Sequence, residues 1–145
     1  MPQTTTTPSK WESITFAVAT PNGKMYVTIL DGTDGRPVEV IIHAGKNGGQ
    51  VHAWATSLSR MMTTALENGA GVNELIRDLS GQLSDGRVPF QENGVRIHSG
   101  PEGVCYALMQ YRKIKYRELR EKLNVFEDDE SDDDEPKRRP ARLGR

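Results

Sequence analysis

The sequence predicts an α+β fold in which an antiparallel sheet of three to four strands packs against two to three helices, between disordered termini. Two observations predict this class. Apolar residues recur with a period of two between residues 13 and 44, as they do in half-buried strands. From Val51 onward the period becomes 3.6, as in amphipathic helices. The predicted order is three strands, two helices, a short fourth strand and a third helix.

The strand half consists of three alternating segments separated by two turns. The segments are SITFAVA (13–19), MYVTILD (25–31) and VEVIIHA (38–44). Asn22-Gly23 is a strong hairpin signal, and the segment DGTDGRP supplies a second turn. Short turns join antiparallel neighbours, so we expect a meander with one covered face.

The helical half begins after a glycine-rich joint. An apolar stripe with helical spacing predicts the first helix. Its members are Val51, Trp54, Ala55, Leu58, Met61, Met62, Ala65 and Leu66. A shorter stripe predicts a second helix from Val72 to Leu79, and VRIHS (95–99) is a candidate fourth strand. GPEG then opens a third helix, apolar in its first half and basic in its second.

We expect one domain over residues 11–125, with a disordered arm at 1–10 and a disordered tail at 126–145. The tail holds eight of the 20 acidic residues and five of the 19 basic ones, which leaves 12 acidic and 14 basic residues elsewhere. A mildly basic domain admits an anionic ligand, whereas the simplest role of the tail is to keep the chain in solution. No apolar run approaches the length of a membrane span, so no membrane association is expected.

Catalysis is not expected. His43 and His52 could meet across the turn between them, but a metal site would need a third ligand that the sequence does not suggest. The single cysteine, Cys105, lies in an apolar helical stretch and is expected in the core rather than as a nucleophile. One cysteine also favours a reducing, cytoplasmic setting. We therefore predict no enzyme, no metal and no cofactor.

The joint HAGKNGG (43–49) has the features of both an anion site and a tight turn. A strand ends, glycines let the backbone turn, and a helix begins, which presents unpaired N–H groups to an anion. Lys46 would add positive charge. The spacing matches neither GxxxxGK[ST] nor GxGxxG, so a plain turn with Lys46 in solvent is the simpler explanation of this segment taken alone.

The third helix carries a basic stripe. Lys113, Arg117 and Arg120 follow the spacing i, i+4, i+7, and Arg112 lies beside them. Guanidinium groups suit phosphates and the interleaved tyrosines suit bases, although a solvated face with internal Glu pairs explains the pattern as well. Phe90, in a long polar loop, could stack on a base or cap the core. A long nucleic acid is not expected, because the acidic tail would repel a polyanion.

The order of the motifs resembles the TSCPD domain, which occurs at the C-terminus of vitamin B12-dependent ribonucleotide reductases and as small standalone proteins. A strand is followed by G-K-x-G, an A…L-x-R helix, L-x-x-G and L-x-G. Here these are Gly45–Gly48, Ala55–Arg60, Leu66–Gly69 and Leu79–Gly81, and SGPEGVCYALMQY resembles a later segment. The resemblance covers roughly residues 12–112 and implies the fold and a preference for nucleotides. The cysteine motif that names the family is absent, so ribonucleotide reduction is not implied.

In architecture and in its Arg and Phe residues, the chain also resembles the Thoeris anti-defence sponges. These viral proteins sequester cyclic nucleotide or cyclic ADP-ribose immune signals. The resemblance implies ligand contacts at Arg60, Phe90, Asn93, Lys113 and Arg117, and Lys46 and Arg112 are added to this set for their charge.

Three functions remain open at this point. The first is a non-catalytic binder of a phosphate-bearing small nucleotide, expected as a homo-oligomer because a small chain can build a deep pocket across an interface. The second is an accessory or regulatory protein that contacts a ribonucleotide reductase or a replication partner. The third is a phosphodiesterase that uses His43 and His52.

Overall fold

The protein folds into one antiparallel sheet and three helices, as the computed structural model describes it for residues 11–45, 48–83 and 88–124. This arrangement confirms the predicted α+β class. The strands are β1 (Glu12–Thr20), β2 (Gly23–Asp31) and β3 (Pro37–Ala44). The helices are α1 (Gln50–Glu67), α2 (Val72–Leu79) and α3 (Gly100–Asn124).

The sheet is a meander in the order β1-β2-β3. The β1–β2 hairpin pairs Thr20 with Gly23, so Pro21 and Asn22 form its two-residue loop. Gly23 has a φ of +103°, which glycine adopts without the steric cost of a Cβ atom. The predicted turn is therefore confirmed, with its glycine placed at the start of β2.

One face of the sheet is buried and the other is open. The buried side chains alternate along the strands, as the period of two requires. They are Val18, Met25, Val27, Ile29, Val40, Ile42 and Ala44. The first half of α3 belongs to the same apolar cluster through Val104, Ala107 and Leu108. A Cβ atom on Gly103 would lie 2.8 Å from the Met25 methyl carbon, which shows how closely the helix backbone approaches the sheet.

Helix α1 covers the free edge of β3. The Ile42 N–H donates to the Ser59 hydroxyl at 2.6 Å, and the Val40 N–H donates to the Thr63 hydroxyl at 3.2 Å. The Thr63 hydroxyl also lies 3.4 Å from the Val40 carbonyl. Side-chain hydroxyls thus occupy the positions that another strand would take, which protects the edge from pairing.

The apolar stripe predicted for α1 is wrong at one position. Met61 is 70% exposed, whereas Ala55 and Met62 are buried. Residues are spaced roughly 100° apart around a helix. The side of α1 that faces β3 extends to Ser59 and Thr63, whose hydroxyls an apolar pattern does not count. Met61 consequently falls outside the contact.

The candidate fourth strand at 95–99 does not form. The described residues contain one three-stranded sheet, and Arg96 makes only an isolated antiparallel bridge with Phe90. A tight turn explains this, since the Gln91 N–H donates to the Val95 carbonyl at 2.9 Å. The Gln91 side chain then binds both backbone groups of Ala19, at 3.0 Å and 2.7 Å, and anchors this loop to β1.

The chain divides into two compact units, of which the first ends at Lys113 and the second begins at Ile114. The described part of the second unit is the C-terminal portion of α3, where Lys115 and Glu118 form a 3.5 Å ion pair. The predicted arm at 1–10 and tail at 126–145 lie outside the described residues. Within the described part of the chain, no helix is long and apolar enough to span a membrane.

Tyr111→Phe should lower the free energy of unfolding by about 1–3 kcal/mol, because the buried Tyr111 hydroxyl donates to the buried Asp31 carboxylate. Urea denaturation of the purified chain measures the change. Tyr116→Phe is the matched control, since Tyr116 is 63% exposed and its hydroxyl has no such role. Equal stability of the two variants would contradict a structural role for the Tyr111–Asp31 bond.

Candidate functional site

The first candidate site, here called the α3 groove, is a cavity of about 280 Å³. It lies between the end of α2, the loop at 93–97 and one side of α3. Its polar lining residues are Ser80, Asn93, Arg96, Glu102, Tyr106, Gln110 and Lys113. Val95, Ile97 and Met109 supply apolar surface. The groove therefore offers charge and apolar contact in one small space, which is typical of small-molecule sites.

Two cations and one carboxylate line the α3 groove. The cations are Arg96, from the loop, and Lys113, from α3. The carboxylate of Glu102 accepts hydrogen bonds from the His98 backbone N–H and interacts with His98 Nδ1 at 2.9 Å. Two cations against one carboxylate give the groove a net positive lining, which favours an anionic ligand.

The loop that carries Asn93 is held against α3. The Asn93 amide donates to the Tyr106 hydroxyl at 2.9 Å, and its carbonyl oxygen accepts from the Val95 N–H at 3.2 Å. Beside them, the Arg96 guanidinium lies 4.7 Å from the centre of the Phe90 ring. This cation–π contact orients Arg96, a residue whose side chain would otherwise have considerable rotamer freedom.

Cys105 forms part of the groove wall and is only 5% exposed. Burial raises the pKa of its thiol, and the nearby Glu102 carboxylate raises it further, against a smaller opposing effect of Arg112. The thiol lies 3.5 Å from the Ile76 carbonyl. A neutral, buried thiol packs rather than attacks, so the prediction that Cys105 belongs to the core is confirmed.

A second cavity, the α1 groove, lies between β3 and α1 and has a volume of about 640 Å³. Arg60, His43 and His52 line it together with Glu39 and several α1 hydroxyls. The two histidines therefore share one groove, as their spacing across the turn suggested. The described residues contain no cluster of three or more His, Cys, Asp or Glu side chains that could hold a metal ion.

Glycines form the joint between β3 and α1, which lies between these two histidines in the chain. Gly45 has a φ of +70°, and Gly48 has a φ of +82°. A Cβ atom on Gly45 would lie 2.9 Å from Val51 Cβ, too close for any other residue without a backbone shift. Gly49 precedes the helix without a side-chain cap. The need for a turn thus explains the glycines, and Lys46 lies outside the described residues.

The structure separates the ligand contacts that the sequence suggested. Asn93 and Lys113 line the α3 groove. Phe90 contacts the guanidinium of Arg96, which also lines this groove. Arg60 lines the α1 groove instead.

The other two basic candidates lie on α3. Arg112 donates to the Asn73 side chain at 2.8 Å and so links α3 to α2. Arg117 belongs to the second unit of the chain.

Sequence reasoning missed Arg96. It lies in the segment that the sequence predicts as a fourth strand, where a single arginine between apolar residues resembles an ordinary exposed strand position. Phe90 and Arg96 are six residues apart, and the turn between them brings their side chains into contact. Only recognition of that turn would predict this contact from the sequence. The turn signal is Asn93-Gly94, and Gly94 has a φ of +81°.

The model of the TSCPD domain matches residues 2–112. The chain belongs to the TSCPD family. The match covers the joint between β3 and α1 and nearly all of the α3 groove, and it ends one residue before Lys113. The chain matches no curated protein and no solved structure.

Gly45→Ala should destabilise this TSCPD domain more than Gly35→Ala, by about 1–3 kcal/mol. Both glycines have a positive φ, so an alanine at either position has a steric cost of about 1–2 kcal/mol from its backbone conformation. Only the Gly45 methyl group would meet another atom, because nothing lies within 4 Å of a Cβ atom at Gly35. Thermal and urea denaturation measure the difference, and equal losses would contradict the close contact with Val51.

Proposed function

We propose that this TSCPD protein is a non-catalytic binder of a phosphate-bearing small nucleotide, and that the ligand occupies the α3 groove. The observation that carries the proposal is the convergence of Arg96 and Lys113 on one cavity whose carboxylate, Glu102, is held by His98. Cations from two separate chain segments line the same cavity, an arrangement that suits a phosphate group.

Each part of the groove has a role in this proposal. Arg96 offers a planar, bidentate donor to phosphate oxygens, and Lys113 adds a mobile point charge. The amides of Asn93 and Gln110 match the hydrogen-bonding edges of a base or a ribose. Val95 and Met109 are exposed apolar residues that a base could cover. The volume of about 280 Å³ lies near the lower limit for small-molecule sites, which favours a compact nucleotide.

The most concrete form of the proposal is a sponge that sequesters a cyclic nucleotide or a cyclic ADP-ribose immune signal in the cytoplasm, as a homo-oligomer of viral origin. Its support is the resemblance of the chain to the Thoeris anti-defence sponges together with the cationic groove. A sponge releases its ligand unchanged. Denaturing a loaded sample and analysing the released nucleotide by mass spectrometry separates this activity from hydrolysis, because a hydrolase would yield a cleaved product.

A contact with a ribonucleotide reductase or replication partner is the second candidate function. The occurrence of TSCPD domains at the C-terminus of vitamin B12-dependent reductases supports it. The open face of the sheet also supports it, since Tyr26 and Ile41 are more than 40% exposed there. Replacing both with Ser should abolish recovery of a specific reductase subunit on the immobilised chain, and unchanged recovery would contradict a contact through this face.

Isothermal titration against cyclic dinucleotides, cyclic trinucleotides and cyclic ADP-ribose isomers tests the nucleotide proposal. Arg96→Ala and Lys113→Ala should each weaken binding by about 10- to 150-fold, the equivalent of losing a charged hydrogen bond of about 1.5–3 kcal/mol. Raising the salt concentration should weaken binding of the unmodified chain as well.

Arg60→Ala and Arg77→Ala are the matched controls for these variants. Arg60 lines the other groove, and Arg77 is an exposed residue that contacts Asp78. Both controls should bind as the unmodified chain does. A loss of binding confined to Arg60→Ala would move the site to the α1 groove, and absence of heat with every nucleotide would overturn the proposal.

A further inference from the structure

Strand β1 is an end strand of the sheet, and alternate residues present their backbone groups to its free edge. The Ala19 N–H and carbonyl both bind the Gln91 side chain, so they point away from β2. In an antiparallel strand every second residue has the same orientation. The backbone groups of Ser13, Thr15 and Ala17 therefore also point to the free edge of β1.

The two edges of the sheet differ in their protection. At β3, hydroxyls of α1 bind the outward N–H groups of Val40 and Ile42. At β1, Gln91 covers only Ala19. Within residues 11–45, 48–83 and 88–124, no hydrogen bond reaches the outward backbone groups of residues 13, 15 and 17. The segment SITFA also lacks proline and charge, the usual devices that prevent pairing.

The apolar side chains along this edge are incompletely covered. Val18 is fully buried, but Ile14 and Phe16, which precede it on the same face, are only half-buried. They lie at the margin of the core, on the end strand of the sheet. A further strand along this edge would extend the core over both side chains.

We propose that a second copy of this chain pairs with the β1 edge, antiparallel and centred on Thr15. In that register Ser13 of each copy lies opposite Ala17 of the other, and Thr15 lies opposite Thr15. All three outward residues then form hydrogen-bonded pairs. The pairing joins the two sheets into one of six strands around a two-fold axis.

The same register brings the half-buried apolar residues together. Ile14 of each copy lies opposite Phe16 of the other, and an aromatic ring beside a β-branched side chain is a stabilising cross-strand pair. A shift of two residues toward the C-terminus would place Ser13 opposite Ala19, whose backbone groups Gln91 already binds. The edge is therefore complementary to itself in the register centred on Thr15. This pairing gives a geometry for the homo-oligomer that the proposed function includes. The pairing itself does not require a bound nucleotide.

Disulfide trapping of the full chain tests the register. In a hydrogen-bonded antiparallel pair the Cα atoms are about 5.5 Å apart, within the range that a disulfide spans. Thr15→Cys should therefore cross-link with itself. Ser13→Cys and Ala17→Cys should each cross-link poorly alone but efficiently when the two variants are mixed. The unmodified chain is the control, because its Cys105 is buried.

A charge substitution tests the same surface without oxidation. Thr15→Lys places two like charges opposite each other at the axis and should raise the dimer dissociation constant by up to about fivefold in sedimentation equilibrium, the equivalent of about 1 kcal/mol. Thr33→Lys adds the same charge on an exposed turn and should leave association unchanged. Circular dichroism of both variants checks that each one folds.

Two results would overturn the dimer: an unmodified chain that stays monomeric at all concentrations, or cross-links without preference for the mixed pair. Either result would leave nucleotide titration unaffected, so failure of the dimer and failure of the proposed function are distinguishable.

Discussion

The contact between the buried face of the sheet and the first half of α3 determines where the other parts of this domain lie. Gly103 allows the helix backbone to approach Val18 and Met25, and Val104, Ala107 and Leu108 fill the space around it. Tyr111 continues the contact to the buried Asp31 at the end of β2. Because this side of α3 packs against the sheet, the polar residues of the helix lie on its other sides. The α3 groove is a consequence of that division.

The second layer of the structure depends on hydroxyls rather than on apolar burial. Ser59 and Thr63 hold α1 beside β3 by occupying its edge N–H groups. This arrangement satisfies polar groups that would otherwise remain open to pairing, and it leaves a groove between the strand and the helix. Trp54 connects α1 to α3, since a Cβ atom on Gly100 would lie 2.3 Å from its ring. The two grooves are thus separated by the elements that stabilise the domain.

The electrostatic character of the α3 groove follows from how its charges are paired. Two cations, Arg96 and Lys113, line the groove against one carboxylate, Glu102, which is hydrogen-bonded to His98. Arg96 is positioned by Phe90 on one side. Lys113 belongs to the stretch of α3 in which apolar residues give way to basic ones. Together these contacts favour an anionic ligand in a cavity that also has apolar walls.

The sequence by itself determined the type of nearly every element. A period of two residues distinguishes the strands and a period of 3.6 the helices, because each pattern reflects how often a side chain returns to the buried face. Local reasoning was wrong at Met61 and at residues 95–99. The first case depends on hydroxyl contacts with β3, and the second on a turn that Asn93 and Gly94 form within a loop.

Only the tertiary structure decided which basic residues share a cavity. Arg60, Arg96 and Lys113 are equivalent as charges in the sequence, yet Arg60 lines one groove while Arg96 and Lys113 line the other. Their grouping depends on how α3 crosses the sheet and where Gln91 anchors its loop to β1. Such contacts join residues that are distant in the chain, and periodicity carries no information about them. The same holds for the edge of β1, whose exposure follows from the order of the strands.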